Sequence, residues 1–122
     1  MYELKAGSSE AKFADLVWDN EPIASGVLAA RSAKLWQWSK TTSFTVLKRL
    51  CNKGIFQNEN GIVTSLISRE ECYSLKSERF VEENFSGSLP AFVAAFTSRK
   101  KLSAEEIAEL RRMVESFEEG ES

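Results

Sequence analysis

Asn60-Gly61 sits between two β-prone runs, Ile55-Phe56-Gln57 and Ile62-Val63-Thr64-Ser65-Leu66-Ile67. Asparagine and glycine readily take positive φ at both central positions of a two-residue turn, and the twist of that turn matches the twist of paired strands. The segment therefore reads as a β-hairpin. It follows three segments whose apolar residues recur at helical spacing, and this order leaves few ways to fold.

Ser9 stands where it would cap a helix running to Asn20, with Phe13, Leu16 and Val17 on one apolar stripe. Pro22 interrupts. A second helix is predicted from Ser25 to Lys34, with Val27, Leu28 and the run Ala30 to Ala33 as its small or apolar contacts. Leu35-Trp36-Gln37-Trp38 leads into Ser39, the N-cap of a third helix that runs to Lys53 and stops at Gly54. Val46, Leu47, Leu50 and Cys51 form the apolar stripe of that helix, while Thr41, Thr42, Thr45, Lys48, Arg49 and Asn52 fill most of its other face. Three short helices and then a hairpin is the layout of a winged helix-turn-helix domain, here residues 9–67, with residues 1–8 as a loose N-terminal arm. The fold class is mainly α with a small β-hairpin.

Residues 68–122 read as helices alone. Ser68-Arg69-Glu70-Glu71 has the form of a capping box and opens a helix to Asn84. Phe85-Ser86-Gly87-Ser88 breaks it, and Leu89, Phe92, Val93 and Phe96 then recur at helical spacing, with Pro90 tolerated in the first turn. A second capping box, Ser103 to Glu106, opens a final helix carrying Ile107, Leu110, Val114 and Phe117, and residues 118–122 are expected to fray. Phe80, Phe85, Leu89, Phe92, Val93, Phe96, Ile107, Leu110, Val114 and Phe117 would expose a large apolar surface on free-standing helices. Such a surface marks an interface, so these ten residues are assigned to a helical dimerisation region.

Composition sets the remaining limits. Of the 122 residues 43% are hydrophobic, enough for a core. No apolar run reaches the roughly 18 residues of a membrane span, and the N-terminus lacks the layout of a signal peptide. The chain is therefore expected to be cytoplasmic and not inserted in a membrane. It has no histidine, which removes the commonest general base and metal ligand. Its two cysteines, Cys51 and Cys72, lack CxxC spacing. No enzyme machinery, cofactor site or metal site is expected. Cys51 reads as a small buried hydrophobe and Cys72 as partly exposed.

The net charge of −2 is unevenly spread. The first 67 residues carry 8 basic and 6 acidic side chains, and the rest carry 8 and 12. Between Glu21 and Glu59 there is no acid at all, but there are Arg31, Lys34, Lys40, Lys48, Arg49 and Lys53. A helix fits the DNA major groove, and residues near its N-terminus reach base edges. Thr41, Thr42 and Thr45 are therefore the candidates for base contacts, and Ser39, Lys40, Lys48 and Arg49 for phosphate contacts. Asn60, at the hairpin tip, is the candidate contact from the wing.

The segment Trp38-Ser39, Thr42, Thr45, Leu47, Arg49-Leu50 and Lys53-Gly54 resembles the W-S-x-x-T-x-x-T-x-L-x-R-L-x-x-K-G recognition segment of the penicillinase and methicillin-resistance repressors. Residues 9–18 resemble that family's first helix. Residues 85–96 with Leu102-Ser103, continuing through Glu105, Glu106, Ile107, Glu109 and Leu110, resemble its C-terminal block. The resemblance implies a homodimer on double-stranded dyad operator DNA. It also implies repression relieved when a membrane sensor protease, responding to an antibiotic-type signal, cuts the dimerisation arm. The positions matching the cleavage pair are Ala95-Phe96, where the family has Asn-Phe. Ile62 stands where the wing usually carries arginine. The cysteine-rich tail of the copper-responsive branch is missing. Two other readings compete: a winged helix that binds protein, and a thiol- or metal-responsive regulator using Cys51 and Cys72.

Overall fold

The structure, a computed structural model, describes Leu4 and residues 8–120. Three helices come first: α1 (Ser9–Asn20), α2 (Ser25–Trp36) and α3 (Lys40–Asn52). A short strand, β1 (Ile23–Ala24), lies between α1 and α2, and the hairpin is β2 (Phe56–Glu59) with β3 (Ile62–Ser65). Then follow α4 (Arg69–Phe85), α5 (Leu89–Thr97) and α6 (Ala104–Glu118). The chain forms two compact units, Met1–Phe80 and Val81–Ser122, and α4 runs from one into the other.

The hairpin forms as its turn residues require. Asn60 and Gly61 take φ of 53° and 83°, both in the left-handed region. Asn58 pairs with Val63 and Glu59 with Ile62. The sequence did not reveal β1, which pairs antiparallel with β3 through Ile23↔Val63 and Ala24↔Ile62. Two residues after a proline are too few to show a period, so only the tertiary partner makes them a strand. The result is a three-stranded antiparallel sheet in the order β1-β3-β2, and with the three helices it makes a winged helix domain.

The core of the first unit gathers Phe13, Ala14 and Val17 of α1, Leu28 of α2, Val46, Leu47 and Leu50 of α3, and Ile55, Phe56 and Val63 of the hairpin region. In α2 the face turned inward is Leu28, Ala29 and Ser32, so the expected contacts Val27, Ala30 and Ala33 are exposed. The stripes of α1 and α3 are those read from the sequence, with two shifts. Leu16 and Cys51 are only partly buried, and Ala14 and Ser43 lie deeper than their side chains predict. Cys72, expected to be partly exposed, is buried with 2% of its surface accessible, because the first turns of α4 pack on the core. Burial pushes both thiols above their ordinary pKa, which disfavours the reactive thiolate.

Element ends differ from expectation where caps or packing decide them. Ser8, not Ser9, caps α1, its hydroxyl accepting from the Ala11 N–H. Helix α2 continues two residues past Lys34 to Trp36, where Trp36 and Trp38 pack together (5.0 Å between ring centres) and Trp38 stacks on Phe13 (5.8 Å). The loose arm expected over 1–8 lies, except for Leu4 and Ser8, outside the described residues, and Leu4 is buried in the core. The last two of the residues expected to fray also lie outside.

In the second unit, Ser88 caps α5, and Ser103 with Glu106 forms a complete capping box on α6. Phe92 packs edge-on against Phe85 at 5.5 Å and against Phe96 at 6.2 Å. Among the described residues no helix is long and apolar enough to cross a membrane.

Candidate nucleic-acid interface

Helix α3 begins at a three-residue turn, 37–39, after α2. Gln37 takes φ 57° and ψ 32°, its N–H donates to the Ala33 carbonyl at 3.0 Å and the Trp38 N–H to the Ser32 carbonyl at 3.5 Å, which closes α2. The chain then leaves in an extended conformation at Ser39, whose hydroxyl accepts from the Thr42 N–H at 3.1 Å and lies 2.9 Å from Thr42 Oγ1. This cap satisfies an N–H that the helix itself cannot pair and fixes the direction in which the first turn of α3 points. Ser39 and Thr42 thus hold each other, and their hydroxyls are ordered at the helix N-terminus.

The buried face of α3 is Ser43, Val46, Leu47 and Leu50. Lys40, Thr41, Thr42, Thr45, Lys48, Arg49 and Asn52 are all exposed. The candidate phosphate and base ligands on this helix therefore share one solvent-facing side. That side has no acid in its first turn. A helix N-terminus carries a partial positive charge, and Lys40 adds to it. Asn60 is on a different element, exposed in the hairpin turn, and the backbone there is tied to the start of α2 by the Ser25 N–H donating to the Gly61 carbonyl at 2.8 Å. Ile62, next in the wing, is 45% exposed.

Arg49 has a partner that sequence reading missed. Its Nη1 donates to Glu10 Oε2 at 2.9 Å, and Lys53 Nζ donates to Glu10 Oε1 at 2.7 Å. Burial alone would raise the pKa of Glu10. Hydrogen bonds and charge from Lys53 and Arg49 outweigh it and hold the carboxylate below its ordinary range. The partners are 39 and 43 residues away, so no local pattern marks them.

Of the residues assigned to the dimerisation region, Phe80, Leu89, Val93, Phe96, Ile107, Leu110, Val114 and Phe117 are exposed, and Phe85 and Phe92 are half-buried. Phe117 reaches 65%. Within the second unit, α5 and α6 frame an apolar groove of about 300 Å³, lined among others by Phe92, Phe96, Leu102, Leu110 and Met113. Leu102 and Met113 were not among the sequence candidates. Ala95 and Phe96 are exposed within α5, two and one residues before its end.

The family model for the penicillinase repressor matches residues 6–116. The penicillinase repressor of Bacillus licheniformis is 27% identical over 111 residues, covering 88% of this chain and 87% of its own. The methicillin resistance regulatory protein MecI of Staphylococcus aureus (strain Mu50 / ATCC 700699) is 26% identical over 117 residues, covering 93% and 94%. MecI of Mammaliicoccus sciuri is 25% identical over the same length. Since the model spans nearly the whole sequence, the chain belongs to the penicillinase repressor family, a family of transcriptional regulators and not of enzymes.

Proposed function

We propose that this repressor acts in the cytoplasm as a homodimer on dyad operator DNA, each chain laying α3 in a major groove. The observation that carries the reading is the exposed face of α3. Behind an ordered Ser39 cap it presents Lys40, Thr41, Thr42, Thr45 and Lys48 together, with no acid in the first turn. Threonine hydroxyls and methyls suit base edges, and the lysines suit phosphates. The half-sites lie about one helical turn apart or a multiple of it. Bound at a promoter, the dimer blocks transcription.

Relief by proteolysis is the finer part of this proposal. A cut at Ala95–Phe96 detaches α6 from the rest of the arm and divides its apolar surface, so dimer and operator affinity fall together. The enzyme would be a membrane sensor protease. Mass spectrometry of the repressor from induced cells, with a new N-terminus at Phe96, is the expected signature.

Fluorescence anisotropy against the protein's own upstream promoter DNA tests the main reading. Preference for the promoter over a scrambled duplex, saturation at two chains per site and weakening with salt are expected. Lys48→Glu lowers affinity at least tenfold at low salt, on the order of one lost phosphate contact plus a like-charge repulsion in each chain. Equal, weak binding to both duplexes overturns the DNA reading. It would favour the protein-binding alternative, for which the exposed Ile62 on the wing is the supporting observation.

A further inference from the structure

One carboxylate joins the last turn of α3 to the first turn of α1. Glu10 is mostly enclosed, its side chain 18% exposed, whereas that of Arg49 is 54% exposed. Arg49 thus stands at the edge of the recognition surface with its guanidinium already facing an anion. A carboxylate offers a guanidinium the same thing a DNA phosphate offers, a pair of anionic oxygens in a planar or forked array. An exposed pair of this kind is weak enough to be exchanged. Lys53, on the other carboxylate oxygen at 2.7 Å, keeps Glu10 charged and in place whether or not Arg49 remains.

We infer that Glu10 is an affinity-setting residue for the operator: it holds Arg49 as an internal counter-anion in the unbound protein, and a backbone phosphate replaces it in the complex. The inference rests on the DNA-binding reading above. It reassigns Arg49 from a simple phosphate ligand to one whose gain on DNA is offset by the loss of Glu10. Arg49 is also kept ordered before binding, so less side-chain freedom is lost on contact. The sequence places the two residues on separate helices, and only the packing of α1 against α3 joins them.

A double-mutant cycle with Glu10→Gln and Arg49→Gln, read by operator affinity and by thermal melting, is the test. Glu10→Gln is expected to tighten operator binding about two- to fivefold, the range over which exposed pairs act. Arg49→Gln is expected to lose more affinity in the Glu10→Gln background than in the wild type. It also flattens the dependence of log affinity on log salt by about 1.8, one phosphate contact in each of the two chains. Unchanged or weaker binding by a folded Glu10→Gln protein overturns the inference. So does equal tightening in the Arg49→Gln background, which would mean only that a negative charge near DNA had been removed. If Glu10→Gln does not fold, Glu10→Asp, whose shorter carboxylate reaches Arg49 less well, takes its place in the cycle with the same expected direction, and an unchanged salt slope for Arg49→Gln overturns the inference, since Arg49 then does not reach phosphate. Wild-type protein that binds no duplex removes the repressor reading itself, an outcome distinct from all of these.

Discussion

At the scale of single residues, helix α3 is governed by two polar side chains of opposite legibility. Ser39 acts through a hydrogen bond three residues away, so its role as N-cap is visible in the order of residues. Glu10 acts through partners on another helix, and nothing near it in the chain announces them. Its ion pairs have a pH consequence. The folded-state pKa of Glu10 is lowered, so the native state binds this proton less readily than the unfolded chain does. The stability that Glu10 contributes is then fully present above the ordinary glutamate value, about 4.3, and is lost as pH falls through the folded value. Comparing denaturation midpoints of wild type and Glu10→Gln across pH is expected to show the wild type more stable at pH 7 and the difference vanishing in acid. A difference that grows in acid would contradict the ion pairs.

Among the elements, the start of α4 is the most informative. Ser68 and Glu71 cap it reciprocally, as their spacing predicts. What anchors it to the domain is Arg69. Its Nε donates to Asp15 Oδ1 at 3.2 Å and its Nη2 to Asp19 Oδ1 at 2.7 Å, and the guanidinium lies 5.5 Å from the centre of the Trp18 ring. Trp18 in turn donates from Nε1 to the Ile67 carbonyl at 3.1 Å. Arg69→Ala is expected to destabilise the domain by about 1 kcal/mol, the sum of weak exposed pairs and a cation–π contact. Amide exchange over 69–76 should quicken, as hydrogen-exchange mass spectrometry would detect. The caps and the Asn-Gly turn were legible because each is a local geometry with a narrow residue requirement. Strand β1, the extension of α2 to Trp36 and the burial of Cys72 were not, because each depends on a partner distant in sequence.

For the molecule as a whole, the second unit leaves Leu89, Phe96, Leu110, Met113, Val114 and Phe117 exposed in a single chain. Apolar surface of that extent is covered in a stable protein, and a second copy also suits a two-fold DNA site. On the proposed dimer, Leu110→Glu with Phe117→Glu is expected to give a monomer by analytical ultracentrifugation and to weaken operator binding at least tenfold. The melting of the winged helix domain should be little affected, since neither residue belongs to its core. A variant that stays dimeric would place the interface elsewhere. A clustered basic stretch within an acidic chain follows the same division of labour. The acid-free run from 22 to 58 supplies α3, the proposed DNA-reading helix, and the acidic excess falls on the helices that follow.

The sequence by itself determined the six helices, the hairpin and their order, though not strand β1. Helical periodicity, three Ser-initiated caps and a positive-φ turn are written in neighbouring residues and act at short range. It also placed the polar face of α3, since a helix has one geometry and its buried stripe defines the opposite side. The family segment around Trp38 to Gly54 was readable for the same reason: its residues are neighbours. Only the tertiary structure decided which long-range partners those residues meet. It paired β1 with β3, stacked Trp38 on Phe13, buried Cys72 and gave Arg49 to Glu10. Such contacts join residues tens of positions apart, where chain connectivity imposes no spacing, and packing within a close-fitting interior selects them.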